Sequence, residues 1–239
     1  MIVLAIDTSA AASVALVEGE RLVSDRTEFA ARRHVEFVGP ALAEVLADGR
    51  AEGLVPDAVV VGIGPGPFTG LRAGIAAGIG AALGVGAPVH GVVSHDALAL
   101  RAFAATSDAS TDPAAVTGSD PAAVTIATDA RRREVYATTY SGLDEAGLPV
   151  PASGPAALFP VDLAERRPAR RVGRGFVLYR DVLGDPEDGD PNALDPTAAW
   201  LARFAHRALS SGRALPGTEP LYLREPDAKP SARRETLLS

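Results

Sequence analysis

The chain has 239 residues, of which 47% are hydrophobic and 22% are charged, a balance typical of a globular protein with one large domain or two small lobes. It contains no cysteine, which excludes disulfides, thiolate zinc sites and a cysteine nucleophile. Its formal net charge of −7 argues against a protein that binds nucleic acid without a partner, because neutralising phosphates needs a basic face. The chain opens without a signal-peptide pattern, so we expect a cytoplasmic protein.

Strand-like and helix-like apolar runs alternate through the first hundred residues, which we assign to a first lobe, 1–104. The predicted strands are 2–8, 12–17, 21–28, 58–63 and 88–93, and the predicted helices are 34–48, 68–84 and 95–104. Pro40 either starts the first helix late or kinks it. This order predicts a mixed sheet with helices on its faces. An uncharged run reaches from Ala73 to Val93, but Pro88 and His90 break it, so we expect no membrane span.

The second half is more irregular and contains a smaller lobe. Residues 105–122 form a linker rich in Ala, Thr, Ser, Asp and Pro, in which a six-residue repeat, 112–117, recurs at 120–125. The predicted boundaries that follow are a second lobe at 123–226, whose last helix packs back on the first lobe, and a polar tail at 227–239.

Two local patterns define that second lobe. A hairpin, 123–129 and 133–140, is predicted to turn through three consecutive arginines. A short helix is expected near 161–166, and a longer one after Asp195, with Asp195 as the N-cap and Pro196 as the first helical residue. Trp200 on this helix is expected to pack in the core.

A glycine-rich segment, 62–74, follows a predicted strand and opens a predicted helix. Such a turn presents free backbone N–H groups and the positive end of a helix dipole, which suits a phosphate. A P-loop is excluded because the segment has no Gly-Lys-Ser/Thr. Gly64 and Gly66 fit a G-x-G-x-x-G pattern, but Thr69 does not. The sequence leaves a phosphate-binding loop and a plain tight turn as alternatives.

The first strand ends in three polar residues, Asp7, Thr8 and Ser9. They either face a ligand or satisfy the backbone of a turn. A lone carboxylate is not a hydrolytic site, because general acid–base catalysis needs a positioned partner. The four histidines form neither H-x-x-x-H nor H-E-x-x-H, and no serine lies in a G-x-S-x-G setting. We therefore expect no catalytic residue, no metal and no peptidase activity.

Three glycines recur at every fourth position of the helix 68–84, which aligns them on one side. Each costs roughly 0.5–1 kcal/mol relative to alanine, so close packing must compensate. Their neighbour is either the lobe's own sheet or a partner helix. The predicted partner interface joins them to apolar residues of two helices, Val35, Val38, Leu42, Gly70, Leu71, Gly74, Ile75 and Gly78.

The leading strand ending in Asp7-Thr8-Ser9, followed by a hairpin, resembles the actin, Hsp70 and sugar-kinase (ASKHA) superfold. Further motifs resemble the TsaB family, also called YeaZ, from Met1 to about Pro226. These motifs are Gly64-Pro65-Gly66-Pro67-Phe68-Thr69-Gly70-Leu71-Arg72, Gly91-Val92-Val93-Ser94, Asp129-Ala130-Arg131-Arg132-Arg133-Glu134-Val135-Tyr136 and Pro220-Leu221-Tyr222-Leu223-Arg224. The match is weak at 104–122 and 142–195.

The resemblance implies a two-lobed α/β actin-like fold with a reduced second lobe. It implies a non-catalytic partner and activator of TsaD in threonylcarbamoylation of adenosine 37 in tRNAs reading ANN codons (t6A synthesis). TsaE in the complex, a homodimer when the chain is alone, and ATP or ADP in the complex are further implications. The tRNA is reached through the complex, with Arg131, Arg132 and Arg133 as the expected contact. The degenerate nucleotide elements would be Asp7, Thr8, Ser9, Gly64, Gly66, Gly173 and Gly175.

TsaD carries Asn-His-Leu-Glu-Ala-His where this chain has Val93 to Leu98, so Ser94 and Leu98 occupy the two metal-ligand positions. His95 lies one residue out of register and is expected at the surface or near a ligand. The alternative function is an ATP-dependent small-molecule kinase or ATPase of the superfold. That alternative needs a second carboxylate facing Asp7 and a glycine-rich adenosine loop.

Overall fold

The computed structural model describes residues 1–29, 34–109, 123–168, 170–187 and 190–224. Its first sheet has five strands in the order β3-β2-β1-β4-β5. They are β1 (Ile2–Asp7), β2 (Ala12–Glu18), β3 (Arg21–Glu28), β4 (Ala58–Gly62) and β5 (Val89–Val92). The first three pair antiparallel, whereas β4 runs parallel to β1 and β5 parallel to β4. The predicted mixed sheet is confirmed.

Three helices connect or follow these strands. They are α1 (His34–Ala51), α2 (Phe68–Val85) and α3 (Ser94–Ala109). Pro40 lies inside α1 and does not delay its start. By length and composition alone α2 could cross a membrane; in this fold one of its sides packs on the first sheet. Because α3 runs to Ala109, it passes the predicted lobe boundary at 104.

The second lobe is a four-stranded sheet in the order β8-β7-β6-β9. Its elements are β6 (Val124–Asp129), β7 (Val135–Leu143), β8 (Pro149–Leu158), α4 (Pro160–Glu165), β9 (Arg170–Val172), α5 (Arg174–Leu178) and α6 (Arg180–Leu183). Strand β8 was not predicted, because its three prolines make the segment resemble a loop. As an edge strand β8 tolerates them, since one side of its backbone needs no ladder partner.

The last helix, α7 (Ala198–Ser210), packs on the first sheet opposite α1 and α2. Because β1 and β4 are thus covered on both faces, their sequences are continuous apolar runs. The predicted N-cap is wrong: the helix begins after Thr197, and Asp195 pairs with Arg174 instead. Trp200 packs, as expected, against the apolar cluster between α7 and the first sheet.

Some predicted segments lie wholly or largely outside the described residues. They are 110–122, which holds most of the linker and most of the repeat, and 225–239, which includes the polar tail. Within the described chain, three sets of contacts join the two lobes. Helix α3 packs on β6 and β7, the first residue of α7 donates to Ser13 of β2, and Arg224 donates to the carbonyl of Ala130. The fold therefore brings the polar end of β1 close to the junction between the lobes.

Candidate functional site

Asp7, at the end of β1, is fully buried and bonded to the chain's own groups. Its carboxylate accepts hydrogen bonds from Ser9 N at 2.9 Å, Ser9 Oγ at 2.7 Å and Ser94 Oγ at 2.6 Å. Burial raises the pKa of Asp7, and these hydrogen bonds oppose that rise. A side chain on Gly62 would collide with this carboxylate. The geometry supports the turn-forming alternative for Asp7 and Ser9.

The glycine loop packs onto this turn. A Cβ on Gly66 would lie 2.6 Å from the carbonyl oxygen of Ser9, and one on Gly64 would lie 2.9 Å from the side chain of Leu71. Gly64 also has a φ of 101°, a conformation that favours glycine. Internal close packing thus accounts for both glycines without a phosphate, which supports the tight-turn alternative.

The glycine stripe of α2 faces the chain's own sheet, so its assignment to a partner interface is wrong. A Cβ on Gly70 would lie 2.7 Å from the carbonyl oxygen of Thr8, and Cβ atoms on Gly74 and Gly78 would collide with Thr8 and Val61. Thr8 Oγ1 donates to the carbonyl of Gly70 at 2.7 Å, which ties the helix to the end of β1. The glycines let α2 lie against the first sheet at short distance.

Most apolar residues of the predicted partner interface are likewise buried inside the first lobe. Leu71 and Ile75 on α2 and Val38 on α1 are buried in the first lobe. Leu42 is half-buried between α1 and α2, and the side chain of Val35 lies outside the described residues. Helical spacing indicated correctly that these residues share a face, but that face belongs to the core.

Another side of α2 is exposed and carries large apolar side chains. Phe68, Ile79 and Leu83 are 39%, 36% and 81% exposed. Phe68 stacks on Tyr222 with ring centroids 4.8 Å apart, and the Arg72 guanidinium lies 3.6 Å from the Phe68 centroid. Arg72 Nε also donates to Tyr222 Oη at 2.9 Å. We call Phe68, Arg72, Ile79, Leu83 and Tyr222 the outer face.

Sequence reasoning missed the outer face for two reasons. Tyr222 lies 150 residues from Arg72, so no local pattern joins them. The α2 residues of this face do share helical spacing, but the glycine stripe is the more regular pattern on the same helix. Aromatic residues and arginine are enriched at protein interfaces, so this face suits a protein partner.

The loop Gly173–Gly175 is also shaped by internal packing. Cβ atoms on Gly173 and Gly175 would meet the backbone of Ala127 in β6, so both glycines allow a close approach to that strand. Arg174 between them pairs with both carboxylate oxygens of Asp195: Nε donates to Oδ1 at 3.1 Å and to Oδ2 at 2.9 Å, and Nη2 donates to Oδ2 at 2.5 Å. Asp195 is a second buried carboxylate, which sequence reasoning did not find.

His95 is fully buried, so its expected place at the surface is wrong. Its Nδ1 lies 2.7 Å from Thr138 Oγ1 and its Nε2 lies 2.9 Å from Thr128 Oγ1. Burial lowers the pKa of His95 to about 3, so the ring is neutral at physiological pH. No group of three or more His, Asp or Glu side chains that could hold a metal occurs among the described residues.

The arginine turn between β6 and β7 is exposed and strained. Arg131, Arg132 and Arg133 have φ angles of 61°, 51° and 63°. Such left-handed conformations are costly for residues other than glycine, asparagine and aspartate. The backbone N–H of Arg131 donates to Asp129 at 2.7 Å, and its guanidinium pairs with the same carboxylate at 3.2 Å. Conformations of this kind cluster at functional sites.

Comparison with known proteins places these features in a family. The model of the family "TsaD: tRNA N6-adenosine threonylcarbamoyltransferase" matches residues 26–153, slightly more than half of the chain. A Mycobacterium leprae protein of uncharacterised function is 36% identical over 96% of this chain, which spans 56% of that protein's length. The Escherichia coli tRNA threonylcarbamoyladenosine biosynthesis protein TsaB is 29% identical over 94% of this chain and 95% of its own length.

A solved structure agrees with this family. YeaZ from Pseudomonas aeruginosa matches with a TM-score of 0.68 and 29% identity, over 93% of this chain and 99% of that one. The two mixed sheets with helices on their faces define the class, an α/β protein with the fold of YeaZ. The chain belongs to the TsaB, or YeaZ, family of t6A biosynthesis proteins, which shares the TsaD-type domain.

Proposed function

We propose that this chain is a non-catalytic cytoplasmic partner of TsaD, which it activates for threonylcarbamoylation of adenosine 37 in tRNAs reading ANN codons. Family membership supports the pathway. The observation that carries the partner role is the outer face of α2. It exposes Phe68, Ile79 and Leu83 on a helix whose other side is occupied by the chain's own sheet. Apolar area of this kind gains free energy when a partner covers it.

The proposed partner is a protein with a related first lobe. The family model that matches this chain from residue 26 to 153, a range that includes all of α2, is that of TsaD itself. A TsaD subunit can therefore present a similar helix to the outer face, as a second copy of this chain would in a homodimer. The homodimer of the isolated chain and the complex with TsaD would then compete for one surface.

Catalysis is assigned to the partner. The carboxylate of Asp7 is enclosed by Ser9 and Ser94, so it has no open side for a metal or a phosphate-bound water. Asp195 is the second carboxylate that a kinase or ATPase of the superfold would need, but Arg174 neutralises it. The non-catalytic role therefore accounts for the site better than the enzymatic alternative does.

The remaining components are placed in the complex. ATP or ADP and TsaE act there, and tRNA contacts this chain through the exposed turn of Arg131, Arg132 and Arg133. Three guanidinium groups on one turn offer phosphate contacts, while the net charge of −7 leaves the rest of the basic surface to TsaD.

The test is co-purification with TsaD, followed by a t6A synthesis assay on unmodified tRNA. Leu83→Glu places a charge at the most exposed apolar side chain of the outer face. We expect it to abolish co-purification and t6A synthesis, because burying an unpaired carboxylate is costly. The matched control is Val182→Glu on α6, which is 46% exposed and lies in the other lobe.

The control variant should co-purify like the unmodified chain. Co-purification of Leu83→Glu and of Ile79→Glu at the unmodified level would refute docking through α2. Failure of the unmodified chain to bind TsaD at all would refute the partner role itself.

A further inference from the structure

The ion pair between Arg174 and Asp195 joins the two lobes. Arg174 is the first residue of α5. The glycines on either side of it pack on Ala127 of β6, so this end of α5 is held against the second sheet. Asp195 lies just before α7, which packs on the first sheet. The backbone N–H of Ala198 in that helix donates to Ser13 Oγ of β2 at 2.9 Å. The pair therefore bridges elements whose main contacts lie in different lobes.

The environment of this pair makes it costly to break. Asp195 is only 3% exposed, and both of its carboxylate oxygens accept hydrogen bonds from Arg174. A buried carboxylate without its cation is strongly disfavoured, whereas bidentate pairing with arginine fixes both charge and geometry. The surface pair Arg180–Asp185 offers a contrast, because its atoms are 3.7 Å apart and both side chains are more than half exposed.

The pair also neutralises one of two buried carboxylates, Asp7 and Asp195. Burial is the main cause that raises the pKa of Asp7, and the charge of Asp195 adds to that rise. Two carboxylates in a buried region repel each other unless a cation compensates. Within the described residues, the guanidinium paired with Asp195 is that of Arg174.

We propose that the Arg174–Asp195 ion pair is an internal latch that holds the two lobes in one arrangement. The chain then needs no ligand between its lobes to fix them. This inference goes beyond the proposed function, because it concerns the isolated chain and holds whether or not TsaD binds.

The test is thermal unfolding of the isolated full-length chain as four proteins: unmodified, Arg174→Ala, Asp195→Asn and the double variant. We expect Arg174→Ala to lower Tm by about 5 °C, because it leaves a buried carboxylate unpaired. The double variant should lose clearly less than the sum of the two single losses, since the second change removes the stranded charge. Arg180→Ala, the matched surface control, should leave Tm within about 1 °C.

Amide hydrogen exchange separates a latch from a local contact. In Arg174→Ala, exchange should accelerate in α5 and also at the amide of Ala198, which lies on the other side of the junction. If Arg174→Ala does not fold, Arg174→Lys keeps the charge without the bidentate fork and should lower Tm by less. Additive losses in the double variant, or faster exchange confined to α5, would overturn the latch.

Discussion

The effect of replacing a glycine of α2 with alanine differs from one position to the next, because the added methyl group meets different atoms. At Gly74 it would collide with Thr8, whose hydroxyl is already bonded to the carbonyl of Gly70. At Gly80 nothing lies within 4 Å. Position on the helix face, rather than helix propensity, therefore decides the sign of the substitution.

We predict that Gly74→Ala lowers the free energy of unfolding by about 1–3 kcal/mol through overpacking. Gly80→Ala on the same helix should raise it by about 1 kcal/mol, because alanine favours the helix and meets nothing. Denaturant titration of both variants measures the two changes. Stabilisation by Gly74→Ala would contradict the close contact between α2 and the end of β1.

Two neighbouring residues of α3 should give opposite pH dependences of stability. Burial raises the pKa of Asp96 to about 6, while Tyr140 Oη donates to its carboxyl at 2.6 Å. The folded chain thus holds this proton more tightly than the unfolded chain, so the contribution of Asp96 is present below pH 3.8 and is lost as pH rises through 6. The lowered pKa of His95 acts oppositely, with stability lost as pH falls from 6.5 through 3.

Asp96→Asn separates these effects, because the amide stays neutral and still accepts from Tyr140. We predict that the Tm of Asp96→Asn relative to the unmodified chain rises between pH 4 and pH 7. The measurement is thermal unfolding of both proteins across that range, where the pH dependence of His95 cancels in the difference. A difference that stays constant with pH would contradict the raised pKa of Asp96.

At the scale of elements, the β6–β7 turn stores strain in three consecutive left-handed arginines. We predict that Arg133→Gly raises the free energy of unfolding by about 1 kcal/mol, because glycine adopts this φ without a steric penalty. The same variant should weaken tRNA binding by the complex with TsaD. Arg166→Gly, at a φ of −73° after α4, is the control and should give no gain in stability. Loss of stability in Arg133→Gly would mean that its side chain stabilises the turn.

At the scale of the whole molecule, the net negative charge opposes binding of tRNA by the chain alone. We predict that the isolated chain retains tRNA only weakly in filter binding at about 150 mM salt, where the Debye length is about 8 Å. The net charge of −7 leaves only local basic groups such as the arginine turn to meet phosphates. Adding TsaD should restore retention. Tight, salt-resistant binding by the chain alone would contradict the prediction that tRNA binding needs the basic surface of TsaD.

Much of the fold was predictable because it is encoded locally. Short apolar runs predicted each end of β1 to β5 to within about one residue, and helical spacing predicted α2. The family motifs were readable for the same reason. Local patterns failed at β8, because its prolines are tolerated only at the edge of a sheet. They also failed at Asp195, a residue type that is common at the N-cap of a helix but that pairs here with Arg174.

By itself, then, the sequence determined the mixed first sheet, the family and the alignment of Gly70, Gly74 and Gly78 on one side of a helix. Only the tertiary structure decided that this side faces Thr8 and Val61, and that the outer face is the exposed one. The physical reason is that periodicity fixes which residues share a face, whereas packing between segments far apart in the chain fixes what that face meets.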